Sequence, residues 1–179
     1  MKSNIAKTLL AGIMLISTIG HANNPSKKIN PNSGECLIVI GMAIDEKNEP
    51  IDGVEVILFK DNDEMEANEI TNVVYHDHNF QFSLDSNQYY TIKISKPGYI
   101  DRFVSISTKL NSETEITDLY RFEFDVIMEK VKPTIDDFYL DFPIALISYD
   151  PMSDSFISHA KYSKHIKKML RESQQLAKL

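Results

Sequence analysis

The sequence is poor in several residue types whose abundance would assign a chain to a special class. Its 179 residues include one Cys, six Gly and seven Pro, too few Gly and Pro for a collagen-like or low-complexity chain. No apolar run reaches the ~18 residues of a membrane span, so the sequence predicts no transmembrane segment in the mature chain. Gly-x-Ser-x-Gly, His-Glu-x-x-His, a phosphate-binding glycine loop and a cysteine cluster are also missing. The sequence therefore predicts no catalytic residue, no metal ligand and no cofactor.

Basic residues are fewer than acidic ones. The chain has 19 Lys and Arg against 26 Asp and Glu, for a formal charge of −7. An acidic protein repels the phosphate backbone at long range, and the sequence predicts no nucleic-acid partner.

The first 22 residues have the features of a secretory signal peptide. Lys2 and Lys7 precede the apolar stretch 8–19, and small residues stand at the −3 and −1 positions of a cut between Ala22 and Asn23. The stretch is short for a membrane anchor. We expect an exported protein, in the periplasm first and outside the cell as the alternative. Cleavage would change the formal charge from −7 to −9, since two lysines and no acid are lost.

The lone cysteine, Cys36, has no partner for a disulfide within the chain. In an exported protein it is either a free buried thiol or half of an intermolecular bridge.

Residues 23–34 are polar and rich in turn formers, which predicts a flexible leader. Between residues 35 and 130, apolar and polar residues alternate in short segments separated by turn signals. Lys96-Pro97-Gly98-Tyr99 suits a type II turn. The predicted strands are 36–44, 54–59, 70–75, 80–84, 90–94, 104–108 and 120–128. This pattern predicts a mainly β fold, a seven-stranded antiparallel Greek-key β-sandwich followed by a C-terminal amphipathic helix.

Particular residues within this pattern carry a resemblance. The series Gly41-Met-Ala-Ile-Asp45, Glu49-Pro-Ile-Asp-Gly-Val-Glu-Val56, Asn79-Phe-Gln-Phe82 and Tyr90-Thr-Ile-Lys-Ile-Ser-Lys-Pro-Gly-Tyr99 resembles the carboxypeptidase regulatory-like domain. That family has a transthyretin-like (prealbumin-like) sandwich, and its exported bacterial members include small proteins. The resemblance covers residues 35–130 and implies a fold with little chemistry attached.

The tail, residues 131–179, differs from the predicted sandwich. Residues 143–149 suggest one more strand, and from Phe156 the apolar spacing becomes helical, which predicts a helix over about 158–177. Residues 160–179 carry six basic groups and one acid, whereas residues 23–159 are strongly acidic. Either the helix packs its apolar stripe on the sandwich with its lysines over acidic surface, or its basic face meets an anionic membrane or a partner protein.

Three other segments carry possible chemistry. Tyr75-His-Asp-His78 could present two imidazoles to a metal, but it lies where the family has a hairpin turn. Residues 61–66 resemble the opening of a calcium loop whose later ligands are out of register, which favours a solvated acidic loop. Aromatic and acidic side chains between residues 136 and 142 could form a protein-docking or sugar-stacking surface, or close the edge of the core. These are Asp136, Asp137, Phe138, Tyr139, Asp141 and Phe142.

From these observations we expect an exported, non-catalytic binding or assembly module of the bacterial envelope, with an envelope protein as partner and a glycan as a further possibility. One alternative is a carbohydrate-binding module, which requires an exposed aromatic platform. A second is a hydrolase, for example with a Ser-His-Asp triad assembled from distant residues. It requires a cleft where acids meet the candidate histidines, which are His76, His78, His159 and His165.

Overall fold

The computed structural model describes residues 34–61, 67–75, 79–110, 119–131 and 142–176. Within these ranges the chain is mainly β and ends in one helix, as predicted. The strands are β1 (Glu35–Ile44), β2 (Val54–Asp61), β3 (Ala67–Tyr75), β4 (Asn79–Asp85), β5 (Tyr89–Ser95), β6 (Arg102–Ser107), β7 (Tyr120–Ile127), β8 (Ala145–Asp150) and β9 (Ser155–Ser158), and the helix is α1 (Ala160–Leu176).

The strands form two sheets. One has the order β4-β1-β7 and the other has the order β3-β2-β5-β6-β8-β9. The prediction of seven antiparallel strands is wrong in two respects. The described residues contain nine strands, and two of the pairings, β1 with β7 and β6 with β8, are parallel.

The ninth strand explains part of this difference. β8 was expected from the apolar run before Tyr149, whereas β9 has only four residues and two of them, Phe156 and Ile157, are adjacent apolar residues. So short a segment shows no period-two pattern. It is held by backbone pairing with β8 across the turn at residues 151–154.

One hydrophobic core lies between the two sheets. Along β4, β5 and β6, buried residues alternate with more exposed ones, as the pleat requires. The three-stranded sheet contributes Leu37, Val39, Phe80, Phe82, Phe122 and Val126, and the six-stranded sheet contributes Val56, Leu58, Ile92, Ile94, Val104, Ile106, Ile147 and Phe156. Because Ile147 and Phe156 belong to this core, the hairpin β8–β9 is an integral part of the packed body.

The turn between β5 and β6 has the predicted geometry. The amide of Tyr99 donates to the Lys96 carbonyl at 3.0 Å, and Gly98 has φ of 83°. A type II turn requires positive φ at its third position, where glycine has no steric penalty.

A buried threonine fastens another turn. The hydroxyl of Thr108 donates to the carbonyl of Asp85 at 2.7 Å and accepts the amide of Gln88 at 2.9 Å. Asn87, between them, has a positive φ of 58°. The side chain of Thr108 is fully buried, and it holds the β4–β5 turn against the end of β6.

Candidate functional site

The helix α1 has one face on the body and one face in solvent. Ile166 is buried, and Tyr162, Met169 and Leu170 are half-buried at the spacing of one helical face. This face lies against β8. The first half of one sequence-based interpretation, an apolar stripe that packs on the sheets, is therefore confirmed. In the ranges that the structure describes, no helical segment has both the length and the hydropathy of a membrane span.

The start of α1 is fixed by contacts of His159. Its backbone amide donates to the Leu146 carbonyl at 2.9 Å, and its Nε2 lies 2.8 Å from the Ser148 Oγ. The His159 carbonyl accepts the Ser163 amide at 3.2 Å, which is the first hydrogen bond of the helix. The position of α1 on β8 is thus set by both backbone and side-chain bonds.

The solvent face of α1 carries a dense set of positive charges, which we call the cationic stripe. Its members are exposed and line one shallow depression together with His165. They are Lys161, Lys164, Lys167, Lys168 and Arg171. In the part of the chain that the structure describes, the ion pair of Lys168 with Glu172 at 3.6 Å is the one carboxylate contact of the stripe. The expectation that these lysines would lie over acidic surface is not met there.

The stripe opposes the stability of its own helix. Its members recur three and four residues apart, where like charges repel by a few tenths of a kcal/mol per pair. Lys161 and Lys164 lie near the N-terminus of α1 and oppose the helix dipole, and neither an acid in the first turn nor a base in the last turn offsets this. Packing on β8 compensates for these unfavourable terms, because an amphipathic helix gains most of its stability from tertiary contacts.

A polar cluster lies at the β8–β9 turn, next to the strand on which α1 packs. The hydroxyls of Tyr120 and Tyr149 both donate to Oδ1 of Asp154, at 2.6 and 2.8 Å. These two hydrogen bonds, that from Tyr120 first, lower the pKa of Asp154, whereas burial and the nearby carboxylate raise the pKa of Tyr120. Both tyrosine rings also contact Phe156 edge-on. The cluster therefore ties β7 of one sheet to β8 and β9 of the other.

Cys36 is a fully buried thiol, which favours the first interpretation of the lone cysteine, because a bridge to another chain would need a sulfur that reaches the surface. Burial, with a smaller contribution from Asp85, raises the pKa of Cys36 to about 12. Thiolate, the reactive form, is thus rare near neutral pH.

We expect the folded protein at pH 8 to react with a thiol reagent about 1,000-fold more slowly than the urea-unfolded chain, because a pKa near 12 leaves roughly one thiol in 10⁴ ionised. The reagent is an aromatic disulfide, and the absorbance of the thiophenolate that it releases measures both rates. A Cys36→Ala variant gives the background. Rapid labelling of the folded protein would contradict this account of the site.

Most residues singled out as site candidates from the sequence lie outside the described residues. These are the predicted cleavage site at Ala22 and Asn23, the segment 76–78 with both of its histidines, the acidic residues 62–66 and the aromatic and acidic residues 136–141. Phe142 is described and is exposed. No group of three potential His, Cys, Asp or Glu metal ligands occurs among the described residues.

The remaining histidines do not meet acids in the described part of the chain. His159 bonds to Ser148, and His165 stands beside the cationic stripe. The exposed aromatic side chains there, Tyr89 and Phe142, belong to separate segments. The polar cluster of Tyr120, Tyr149 and Asp154 had no sequence signal, because Asp154 lies in a turn distant from β7.

No family model and no curated protein matches the sequence. Comparison with solved structures finds several 1,2-dioxygenases. The match to 3-chlorocatechol 1,2-dioxygenase from Rhodococcus opacus 1CP has a TM-score of 0.39 and 10% identity, over 58% of this chain and 64% of the enzyme. Catechol 1,2-dioxygenase from Acinetobacter sp. ADP1 gives 0.42 and 10%, over 62% and 58%. Hydroxyquinol 1,2-dioxygenase from Pseudomonas putida DLL-E4 gives 0.38 and 12%, over 73% and 68%.

These matches correct one prediction. All three proteins are enzymes. This contradicts the prediction that the chain is an exported, non-catalytic binding or assembly module of the bacterial envelope. The matches give no support to the expectation that the chain lacks catalysis. The chain spans less than two thirds of the first two enzymes, and likeness at these TM-scores and identities assigns it neither a reaction nor a substrate.

Proposed function

We propose that this protein recognises a polyanion through the cationic stripe of α1. The observation that carries the proposal is the exposure of five basic side chains on one helix face, four of which have no carboxylate partner among the described residues. Charges held close together without counter-charges raise the local concentration of anions and attract an anionic surface.

The way in which the helix is held also supports this function. A basic segment that was unfolded in solution would have to fold as it binds, and the conformational entropy lost in ordering it would weaken binding. Here the apolar face rests on β8, and His159 fixes the first turn. The charges are therefore presented on a preorganised scaffold, which lowers the entropy lost on binding.

Two further parts of the proposal concern the body. We infer that it is a transthyretin-like, Greek-key member of the carboxypeptidase regulatory-like family and that the chain is exported. The type II turn at Pro97-Gly98, the turn glycine Gly53 with φ of 64°, and the tight packing at Gly41 all fall within the residues that carry the resemblance. The predicted signal peptide, residues 1–22, supports export.

The test compares two variants with matched changes in charge. The stripe variant carries Lys161→Gln, Lys164→Gln, Lys167→Gln and Arg171→Gln, which keeps the Lys168–Glu172 pair. The body variant replaces three lysines and one arginine that are exposed elsewhere, Lys47, Lys109, Arg121 and Lys130, also by Gln. Both variants therefore lose four positive charges.

We expect the stripe variant to bind long-chain inorganic polyphosphate about 30-fold more weakly than the unchanged chain, because four exposed ion pairs of about 0.5 kcal/mol each are lost. Titration calorimetry on the chain from Asn23 onward measures the affinities. The body variant should stay within a factor of three. Equal losses in the two variants would show that net charge alone matters and would overturn the proposal.

A further inference from the structure

We infer that the polyanion recognised by the cationic stripe is the surface of an anionic phospholipid bilayer. This inference rests on the proposed function, since it names the partner of the same face. Three features of the described residues favour a bilayer: the kind of basic side chain, the shape of the stripe, and the burial of the apolar face of α1.

The stripe consists of four lysines and one arginine. Arginine presents a planar fork that recognises phosphate or carboxylate groups in fixed geometry, whereas lysine is a mobile point charge on a long stem. A lysine-rich face therefore suits an array of anions with no fixed positions. Lipid headgroups in a fluid bilayer form such an array, and clusters of four to eight basic residues are typical of helices that bind anionic lipids.

The stripe is also long and wide. Lys161 and Arg171 are ten residues apart, or about 15 Å along the helix axis. At 3.6 residues per turn, the five members cover about 120° of the helix circumference. Their long side chains can all extend to one flat surface. A narrow ligand would contact only part of this width.

The apolar face of α1 is already in use. Ile166 is buried, and Tyr162, Met169 and Leu170 are half-buried in the body. A helix that inserts into the headgroup region needs this face free. Binding must therefore be electrostatic, with α1 resting on the headgroups, and salt should reverse it.

Charge in the rest of the chain favours one orientation on such a surface. Residues 160–179 carry six basic groups and one acid, while the chain as a whole is acidic. An anionic bilayer attracts α1 and repels the body. We therefore expect the protein to dock through α1 with its two sheets directed away from the membrane.

The experiment is flotation of the chain from Asn23 onward with vesicles, which removes the apolar stretch 8–19 as a route to the membrane. One set of vesicles is two-thirds phosphatidylcholine and one-third phosphatidylglycerol, and the other is phosphatidylcholine alone. Each basic residue near an anionic membrane contributes about fivefold to partition, so the stripe variant, which lacks four of them, should lose about 600-fold. The body variant should stay within a factor of three.

A second measurement does not depend on any variant. Partition of the unchanged chain onto the anionic vesicles should fall sharply between about 0.05 and 0.5 M salt, as the screening length shortens. The neutral vesicles should bind little protein at either concentration.

Circular dichroism checks that the stripe variant is folded. Its Tm should be no lower than that of the unchanged chain, since repulsion within α1 is relieved.

The outcomes separate this inference from the proposed function. If the stripe mediates binding to polyphosphate while the anionic vesicles bind no protein, the bilayer is the wrong partner and polyanion recognition stands. If neither probe binds, both are wrong. Equal partition onto neutral vesicles would indicate apolar insertion, and tighter binding to single-stranded nucleic acid than to the vesicles would indicate a different polyanion. Either result would overturn the inference that the partner is an anionic bilayer.

Discussion

Replacement of Gly41 by alanine should destabilise the protein by about 3 kcal/mol, although it adds only a methyl group. Gly41 lies in the centre of the three-stranded sheet, opposite Phe80 on β4 and Phe124 on β7. A Cβ atom at Gly41 would lie 2.8 Å from Cε1 of Phe80 and closer still to two other ring carbons. The Phe80 ring is 1% exposed, and its centroid is 5.9 Å from that of Phe124. It has no free space to move into, and overpacking outweighs the intrinsic advantage of alanine in a strand.

Urea unfolding, followed by far-ultraviolet circular dichroism, measures this effect. The second variant for the test is Gly41→Ala combined with Phe80→Leu, in which a smaller side chain leaves room for the methyl group. If the overlap is the cause, the double variant should be more stable than the sum of the two single changes by about 1–2 kcal/mol. Substitutions without a structural effect usually change the free energy of unfolding by no more than about 0.5 kcal/mol. A change of that size for Gly41→Ala would contradict the packing argument.

Removal of the Glu129 carboxylate should also destabilise the fold by about 3 kcal/mol. Glu129 follows β7, and its Oε1 accepts a hydrogen bond from Nη2 of Arg102 on β6 at 2.9 Å. The Arg102 side chain is 5% exposed, whereas that of Glu129 is 31% exposed. Nε of Arg102 has no hydrogen-bond partner among the described residues. Burial lowers the pKa of Arg102 and Glu129 opposes this shift, so the guanidinium depends on Glu129 as its counter-charge.

The two partners should not be equivalent. Glu129→Ala leaves a buried cation without its carboxylate, whereas Arg102→Met leaves a carboxylate that reaches water and should cost about 1 kcal/mol. The double variant, Arg102→Met with Glu129→Gln, should be near the stability of the unchanged chain. Thermal unfolding of the three variants gives these values. Equal losses for the two single variants would mean that the burial of Arg102 does not govern the energy of the pair.

Period-two spacing was sufficient to locate most of the strands. The alternation of Val104 and Ile106 with polar neighbours also places Arg102 and Thr108 on the inward face, and both are buried. The pattern did not indicate that a charged residue would be tolerated there, because the compensating carboxylate comes from Glu129, just after β7 and 27 residues later. Likewise, Gly41 was among the residues that carry the resemblance, but the sequence did not show why glycine is needed there. The reason is a phenylalanine ring on a neighbouring strand.

The candidate site was partly visible in the sequence. The helical spacing of Ile166 and its neighbours and the excess of lysines after residue 160 predicted an amphipathic basic helix, and α1 has both faces. The sequence alone did not determine whether the lysines face acids or solvent, since that depends on how α1 is placed on β8. The hydrogen bond between Ser148 and His159 fixes this placement. The two residues are 11 positions apart, and no sequence pattern indicates that they are in contact.

The most direct test of polyanion recognition is the affinity of the unchanged chain and the stripe variant for polyphosphate at about 0.05 and 0.5 M salt. The account predicts tight, salt-sensitive binding of the unchanged chain and weak binding of the stripe variant at both concentrations. If the affinities of the two proteins are equal at low salt, the face of α1 does not bind polyanions and the central claim is wrong.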